Sequence, residues 1–300
     1  MSFWLCLKRL SDTVRRVGVV GNPEKGGARR VICAAVELVQ ATGREVLTEA
    51  ATAAIAGLTV PQVPDTAALA RNCELLLVFG GDGTMLRVAR EAAGTATPLL
   101  GINLGRLGFL TTSSARQLER TLALAWSGRC QVDERPLIEA SGQGKAGAFA
   151  EVALNDFVIS HGMVPRLIEL ELKVDGDLLT SYRGDGLIVS SPTGSTAYSL
   201  AAGGAVVSPR ASVFAITPIC PHTLSSRSVI VNLDSRLEVR LLSGRVETFL
   251  AADGHTRAEL STGNVVRFRR SRQRAHLVRL PGASFFETLR QKLNWSGSPV

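Results

Sequence analysis

Short apolar runs, each ending in a glycine turn and followed by an amphipathic stretch, set the rhythm of the first half of the chain. "VGVVG" (17–21) predicts a buried strand that ends in the turn-rich "NPEKGG". Ala28 to Thr42 then carries apolar residues at helical spacing, with Gly43 as the stop. "ELLLVF" (74–79) reads as a second buried strand, and "TMLRVAREAAG" (84–94) as a helix closing on Gly94. "PLLGINLG" (98–105) is a further strand and "SARQLERTLALAWSG" (114–128) a further helix. Strands alternating with helices across short glycine turns indicate parallel βαβ units, hence an open α/β domain with a parallel sheet.

After Arg135-Pro136 the texture changes to alternating and β-branched runs punctuated by Gly, Asp and Ser-Gly turns. Examples are "LIELELKVDGDLLTSYRGDGLIVSS" (167–191) and "SVIVNLDSRLEVRLLSGRVETFLAADG" (228–254). This predicts an antiparallel, sandwich-like β domain with one short helix at "GSTAYSLAAGG" (194–204). The tail "SFFETLRQKLNW" (284–295) returns to helical periodicity and is expected to pack on the first domain. The expected division is therefore residues 1–133 with the C-terminal helix 281–300, and residues 134–280.

Composition narrows the class. With 300 residues, 45% hydrophobic and 20% charged, the chain can bury large cores and is not disordered. Its five cysteines are scattered with no CxxC pair, which argues against a disulfide framework or a zinc site and for a reducing compartment. The start, "MSFWLCLKRL", has an apolar patch but no basic segment before it, and no apolar run approaches the roughly 20 residues of a spanning helix. A cytoplasmic protein without a membrane partner is expected. The net charge of +8 suggests an anionic ligand. It is densest in "VRFRRSRQRAHLVRL" (266–280), which reads as a hairpin with one solvated face. With Phe268 its only aromatic, it lacks the interleaved rings of a nucleic-acid groove, so no nucleic-acid partner is expected.

Candidate chemistry concentrates in two places. "FGGDGTMLR" (79–87) sits at the carboxyl end of a predicted strand, where parallel sheets bind ligands. Gly80, Gly81, Gly83 and Thr84 would let a phosphate approach the main chain. Asp82 is the odd member, because a carboxylate repels phosphate. It suits accepting a hydroxyl proton, holding a metal or capping the helix. Neither a Walker A loop nor the G-x-G-x-x-G fingerprint is present, so any nucleotide is bound another way. The second place is "YRGDGLIVSSPTGSTAYSLAAGG" (182–204), whose hydroxyls and glycines suit an adenine or ribose nest or a capped loop. Asn155-Asp156 offers an amide and a carboxylate to a hydroxyl-rich ligand, or an Asx turn. Asp253-Gly254-His255 reads as a hairpin turn.

Together these segments resemble the NAD kinase family. The motifs are "GGDGT" (80–84), "GINLGRLGFLT" (101–111), "LNDFVISHG" (154–162), the 182–204 stretch, "ITPICPHTLSSRSVIV" (216–231), "ADGH" (252–255) and the tail "FFETLRQKLNW". They run in order over nearly the whole chain. The resemblance implies an N-terminal α/β domain, a β-rich C-terminal domain, NAD bound between them, and a homodimer or homotetramer. It implies transfer of a phosphoryl group from ATP or polyphosphate to the 2′-hydroxyl of the adenosine ribose of NAD, giving NADP, with Mg²⁺ or another divalent ion carried by the nucleotide phosphates. By the same resemblance Asp82 is the general base or hydroxyl orienter, and Gly80, Gly81, Gly83 and Thr84 line the donor's approach. Asn155 and Asp156 hold the adenosine end, while Thr193, Thr196, Ala197 and Tyr198 form the adenine-side loop. Asp185 lies near the nicotinamide, Arg183 beside the substrate, and Asp253 and His255 near the reacting ribose, with Gly83 also among the NAD-binding residues. Asp156 is the shorter of the two acids found at its position, and Ser228 stands where proline is frequent.

Two other kinase groups share "GGDGT". The Leu-Asn-Glu sequel of diacylglycerol-type lipid kinases is replaced here by Met85-Leu86-Arg87, and the Thr-Ile-Asp-x-Asp motif of phosphofructokinases is missing. A non-catalytic dinucleotide-binding or nucleic-acid-binding protein would avoid the carboxylates of Asp82, Asp156, Asp185 and Asp253 in an anion groove.

Overall fold

The computed structural model describes residues 14–22, 27–105, 108–164, 166–223, 227–244 and 246–295. The N-terminal apolar patch, residues 23–26 of the expected turn after β1 and the last five residues of the chain lie outside them. The chain divides into two compact units, Met1–Glu134 with Ala275–Val300, and Arg135–Arg274.

In the first unit the elements run β1 (Arg16–Gly21), α1 (Ala28–Gln40), β2 (Glu45–Glu49), α2 (Ala50–Ala56), β3 (Gln62–Val63), α3 (Thr66–Asn72) and β4 (Leu75–Gly80). They continue with α4 (Asp82–Glu91), β5 (Leu99–Asn103), β6 (Ser113–Ser114) and α5 (Leu118–Trp126). The strands pair in parallel in the order β5, β4, β1, β2, β3, with β6 also on β5. Every residue of β4 is buried, because a parallel strand with helices on both faces has no solvated side. Val17, Val19, Leu75, Leu77 and Phe79 pack with Ile32, Ala35 and Val39 of α1 and Leu118, Leu122 and Ala125 of α5.

The apolar pattern gives no sign of β2, α2, β3 and α3, which fill the stretch between Gly43 and Cys73. These elements are two to seven residues long and rich in Ala and Thr, too short for a period to emerge.

The second unit holds β7 (Gln131–Gly144), β8 (Gly147–Ala153), β9 (Asp156–His161), β10 (Ile168–Val174), β11 (Asp177–Gly184) and β12 (Gly186–Ser190). After them come α6 (Tyr198–Ala201), β13 (Val213–Ile219), β14 (Val229–Asn232), β15 (Leu237–Leu241), β16 (Thr248–Ala252), β17 (His255–Leu260) and β18 (Val265–Arg279). One antiparallel sheet has the order β14, β13, β12, β9, β16, β17; in the other β11, β10, β15 and β18 are joined by the β7–β8 hairpin. Phe157, Leu187, Val189 and Phe214 of the first meet Leu170, Leu172, Val239 and Phe268 of the second, so the two sheets pack face to face.

The basic stretch 266–280 is not a hairpin. It forms the single strand β18, whose last residues pass into the first unit, where Leu277 pairs with Leu99 of β5. No Gly, Pro or Asn interrupts it to make a turn. Four of its six arginines pair with acids: Arg267 with Glu238 at 2.9 Å, Arg269 with Glu139 at 2.6 Å, Arg270 with Asp234 at 3.1 Å and Arg279 with Asp133 at 3.4 Å. The tail forms α7 (Phe285–Leu293), and Leu289 is its buried residue. Among the described residues no helix is long and apolar enough to cross a membrane.

Candidate active site

β4 delivers the Gly-Asp-Gly segment to the carboxyl end of the parallel sheet. Gly80 ends the strand, Gly81 precedes α4, and Asp82 is the first helical residue. The first bond closing the helix runs from Met85 N to Gly81 O at 3.1 Å. The amides of Asp82, Gly83 and Thr84 thus have no acceptor within the helix and form an anion-seeking terminus. Gly81 and Gly83 border open space, since a Cβ added at either would meet nothing within 4 Å. Gly80 differs, because a Cβ there would sit 2.2 Å from Oγ1 of the buried Thr84. Gly80 and Thr84 therefore pack against each other, and Gly81 and Gly83 are the open pair.

The Asp82 side chain turns to the segment after β5. Its Oδ2 accepts the Phe109 amide at 2.9 Å and its Oδ1 the Leu110 amide at 3.0 Å. That segment is braced in turn. Thr111 Oγ1 accepts from Asn103 Nδ2 at 3.1 Å and from the Gly108 amide at 3.1 Å, and Thr112 Oγ1 donates to Val278 O at 2.7 Å. Two amide donors offset the charge that made an acid beside a phosphate-seeking helix end puzzling, and each oxygen keeps a lone pair for a hydroxyl.

A second carboxylate organises the second unit in the same manner. Asp253 and Gly254, at φ of 47° and 81°, form the two-residue turn between β16 and β17. Asp253 Oδ1 accepts the amides of Asn155 at 2.8 Å and Asp156 at 3.3 Å, and its Oδ2 that of Leu154 at 3.1 Å. The Asn155 carbonyl accepts from Ser191 N at 2.8 Å and Ser190 Oγ at 3.2 Å. Gly194 fits flat on this backbone, where a Cβ would come within 2.2 Å of Asn155 O.

The hydroxyls of this loop are largely committed to building it. Ser191 Oγ donates to Leu154 O and accepts from the Thr193 and Gly194 amides, and Ser195 Oγ donates to Pro192 O at 2.8 Å. Thr193 Oγ1 is the exception, buried without a hydrogen-bond partner. Asp156 is 4% exposed, and burial, with the nearby Asp253 charge adding to it, pushes its carboxyl up to about 7.

Known proteins resemble the chain along most of its length. The ATP-NAD kinase N-terminal domain model matches residues 17–130, and the ATP-NAD kinase C-terminal domain model residues 154–280. The NAD kinase of Moorella thermoacetica is 40% identical over 285 residues, 95% of this chain and 91% of that one. That of Symbiobacterium thermophilum is 42% identical over 260 residues, covering 86% and 92%. The chain belongs to the NAD kinase family. Among solved structures it is similar to an Archaeoglobus fulgidus NAD kinase in complex with ATP, at a TM-score of 0.74 and 26% identity over 94% of this chain and 100% of that one. A yeast NADH kinase complexed with NADH shares the fold at a TM-score of 0.84 and 24% identity, over 95% and 89%.

Within this chain the structure gathers Gly80 to Thr84 in one unit. In the other it gathers Asn155, Asp156, Asp253 and the 190–196 loop. Tyr198 is exposed on α6 directly after that loop, Thr196 bonds back to Thr193 O at 3.4 Å, and Ala197 joins the two turns. Arg183 and Asp185 are not part of this cluster. They precede β12, whose far end carries Ser190, roughly 16 Å away at about 3.3 Å per residue. Asp185 instead accepts the Cys220 thiol and lies 3.8 Å from His161 Nε2. His255 is exposed and pairs with Ala252 across the turn. Sequence reasoning missed Phe109, Leu110 and Ser191 as anchors. The first two act through main-chain amides, which carry no residue signature.

The Asp156 environment sets a pH dependence. Its pKa is raised from 3.8 to about 7 on folding, so the folded state holds the proton more tightly. The stability it contributes is complete below pH 4 and is lost as pH rises through 7. Urea melts of wild type and Asp156→Asn should show the variant gaining relative stability from pH 4 to pH 7 and levelling above. A constant difference across that range would contradict the assignment.

Proposed function

We propose that Asp82 orients the 2′-hydroxyl of the adenosine ribose of NAD and accepts its proton while the hydroxyl attacks the γ-phosphorus of ATP. Family membership makes the chain a kinase that phosphorylates NAD; the roles of individual residues are this proposal. The observation that carries it is the Asp82 carboxylate, fixed by two amides at the mouth of a helix end whose glycines leave the main chain open.

The reaction needs little covalent work from the protein. A ribose hydroxyl is a weak nucleophile, and a fixed carboxylate lowers the barrier by taking its proton as the oxygen–phosphorus bond forms and ADP leaves. Donor amides at Gly83 and Thr84 neutralise phosphoryl charge, while the exposed main chain at Gly81 and Gly83 admits the phosphates closely. Polyphosphate, which offers the same terminal phosphoryl group, could occupy the same amides. Among the described residues no three acidic, His or Cys side chains cluster to hold a metal ion. Mg²⁺ is assigned to the phosphates of the nucleotide, since it is usually held by phosphates with one or two carboxylates. When bound it supplies charge neutralisation on those phosphates.

NAD recognition is assigned to the second unit. Asn155 and Asp156 hold the adenosine end, with Asp156 able to donate a hydrogen bond when protonated. The unpartnered Thr193 hydroxyl supplies a further bond, because a buried hydroxyl left unsatisfied costs about 1–3 kcal/mol. Arg183 and Asp185, at the opposite end of β12, suit the other end of an extended dinucleotide. The product is NADP. The archaeal relative solved with ATP supports ATP as the donor.

Two variants test the assignments. Asp82→Asn should bind NAD as wild type does by calorimetry while kcat falls about 10²–10⁴-fold; wild-type turnover, read with an NADP-specific dehydrogenase, would remove Asp82 from the mechanism. Thr193→Val should leave the free protein as stable as wild type or more so, yet weaken NAD binding by about five- to tenfold, the loss of one hydrogen bond. Unchanged NAD affinity would show that the hydroxyl does not meet the ligand.

A further inference from the structure

The C-terminal segment reaches the anchor of Asp82 from two sides. Phe109, whose amide holds Asp82 Oδ2 at 2.9 Å, has its ring centroid 6.4 Å from that of Phe285, the first residue of α7, with the planes tilted by 45°. Three residues on, Thr112 Oγ1 donates to the carbonyl of Val278 in the strand that leads to α7. The buried Leu289 fixes α7 itself, and Phe286 packs edge-on against Phe285 at 5.4 Å. Residues 275–295 thus support the amides that aim the carboxylate, although none of them forms part of the Gly-Asp-Gly turn.

We infer that Phe285 is a positioning residue for phosphoryl transfer, acting through Phe109 on the orientation of the Asp82 carboxylate. Phe109 is half-buried and Phe285 packs on its ring, so the pair holds the residue whose amide seats Asp82 Oδ2. The Phe109 and Leu110 amides are adjacent on one chain, so a shift at one reaches the other oxygen of the same carboxylate. A tilted aromatic pair at this separation contributes through both area and quadrupole. Removing it leaves the amides able to move, and proton acceptance depends steeply on such alignment.

The inference rests on the proposed role of Asp82, and the experiment separates the two. Steady-state kinetics with NAD and ATP would be measured for Phe285→Ala, Asp82→Asn and the double variant, with Trp295→Ala as a control for an exposed ring of the same tail. Phe285→Ala should lower kcat about tenfold, a modest share of what misplacement of a reacting group can cost. KM for NAD should stay within roughly twofold, because ground-state binding is untouched. Phe285→Tyr should restore kcat. In the Asp82→Asn background the same truncation should cost nothing further, since the group it aims is gone.

Wild-type kcat in Phe285→Ala, a loss carried by KM, or an equal tenfold loss on top of Asp82→Asn would each overturn the inference while leaving Asp82 in place. Full turnover in Asp82→Asn alone would overturn both readings. Melting curves check the fold of each variant. Should Phe285→Ala fail to fold, Phe285→Leu, which keeps the apolar bulk and loses the ring, carries the same comparison.

Discussion

One carboxylate and two amides fix the geometry at the carboxyl end of the first unit's buried strand β4. Asp82 lies at the end of a strand buried on both faces and at the start of a helix, so its backbone cannot drift. Its side chain is then held by the Phe109 and Leu110 amides. Charge-assisted bonds of this kind are roughly twice as strong as neutral ones, and they preorganise an acceptor at no cost during reaction. The arrangement also resolves the conflict between a negative side chain and a helix end that attracts phosphate. The amides at the helix start stay without acceptors in the helix, and the carboxylate draws its own donors from a different segment.

The second unit uses the same device on a different scaffold. Asp253 occupies a left-handed turn position, where Asp is tolerated, and its carboxylate gathers the amides of residues 154 to 156. That pins Asn155 and Asp156 at the start of a core strand while the Ser191 hydroxyl ties the following loop to the same backbone. Strands shape both sites, but side-chain-to-main-chain bonds set their detail. The cost falls on Asp156, buried beside another acid and holding its proton to unusually high pH.

Much of the fold was legible because buried parallel strands read as unbroken apolar runs. β1, β4 and β5 announce themselves this way, and Gly43 and Gly94, both at positive φ, mark the turns after helices. The stretch from Gly43 to Cys73 was silent, since two-residue strands and Ala-rich helices lack a period. Val266–Leu280 misled, because alternation alone does not tell one long strand from two short ones, and four of its arginines pair with Glu238, Glu139, Asp234 and Asp133. At the site, Asp82 stood out as an acid among glycines, whereas its partners, 27 and 28 positions on, act through amides common to every residue. The serines of 190–195 promised ligand contacts and serve mainly as internal braces, while the threonine beside them keeps its hydroxyl unspent.

The central claim is that the Asp82 carboxylate works from its seat against the main chain of residues 108 to 110. Gly108 offers the most direct test, because a Cβ added there would fall 1.9 Å from Asp82 Oδ1 and 2.3 Å from its Cγ. Gly108→Ala leaves every functional group of the site in the sequence, and the three atoms nearest its added Cβ all belong to the Asp82 carboxylate. Turnover of this variant should fall about 10²-fold or more, as for loss of the base, with NAD affinity and melting temperature close to wild type. A kcat equal to wild type would contradict the account.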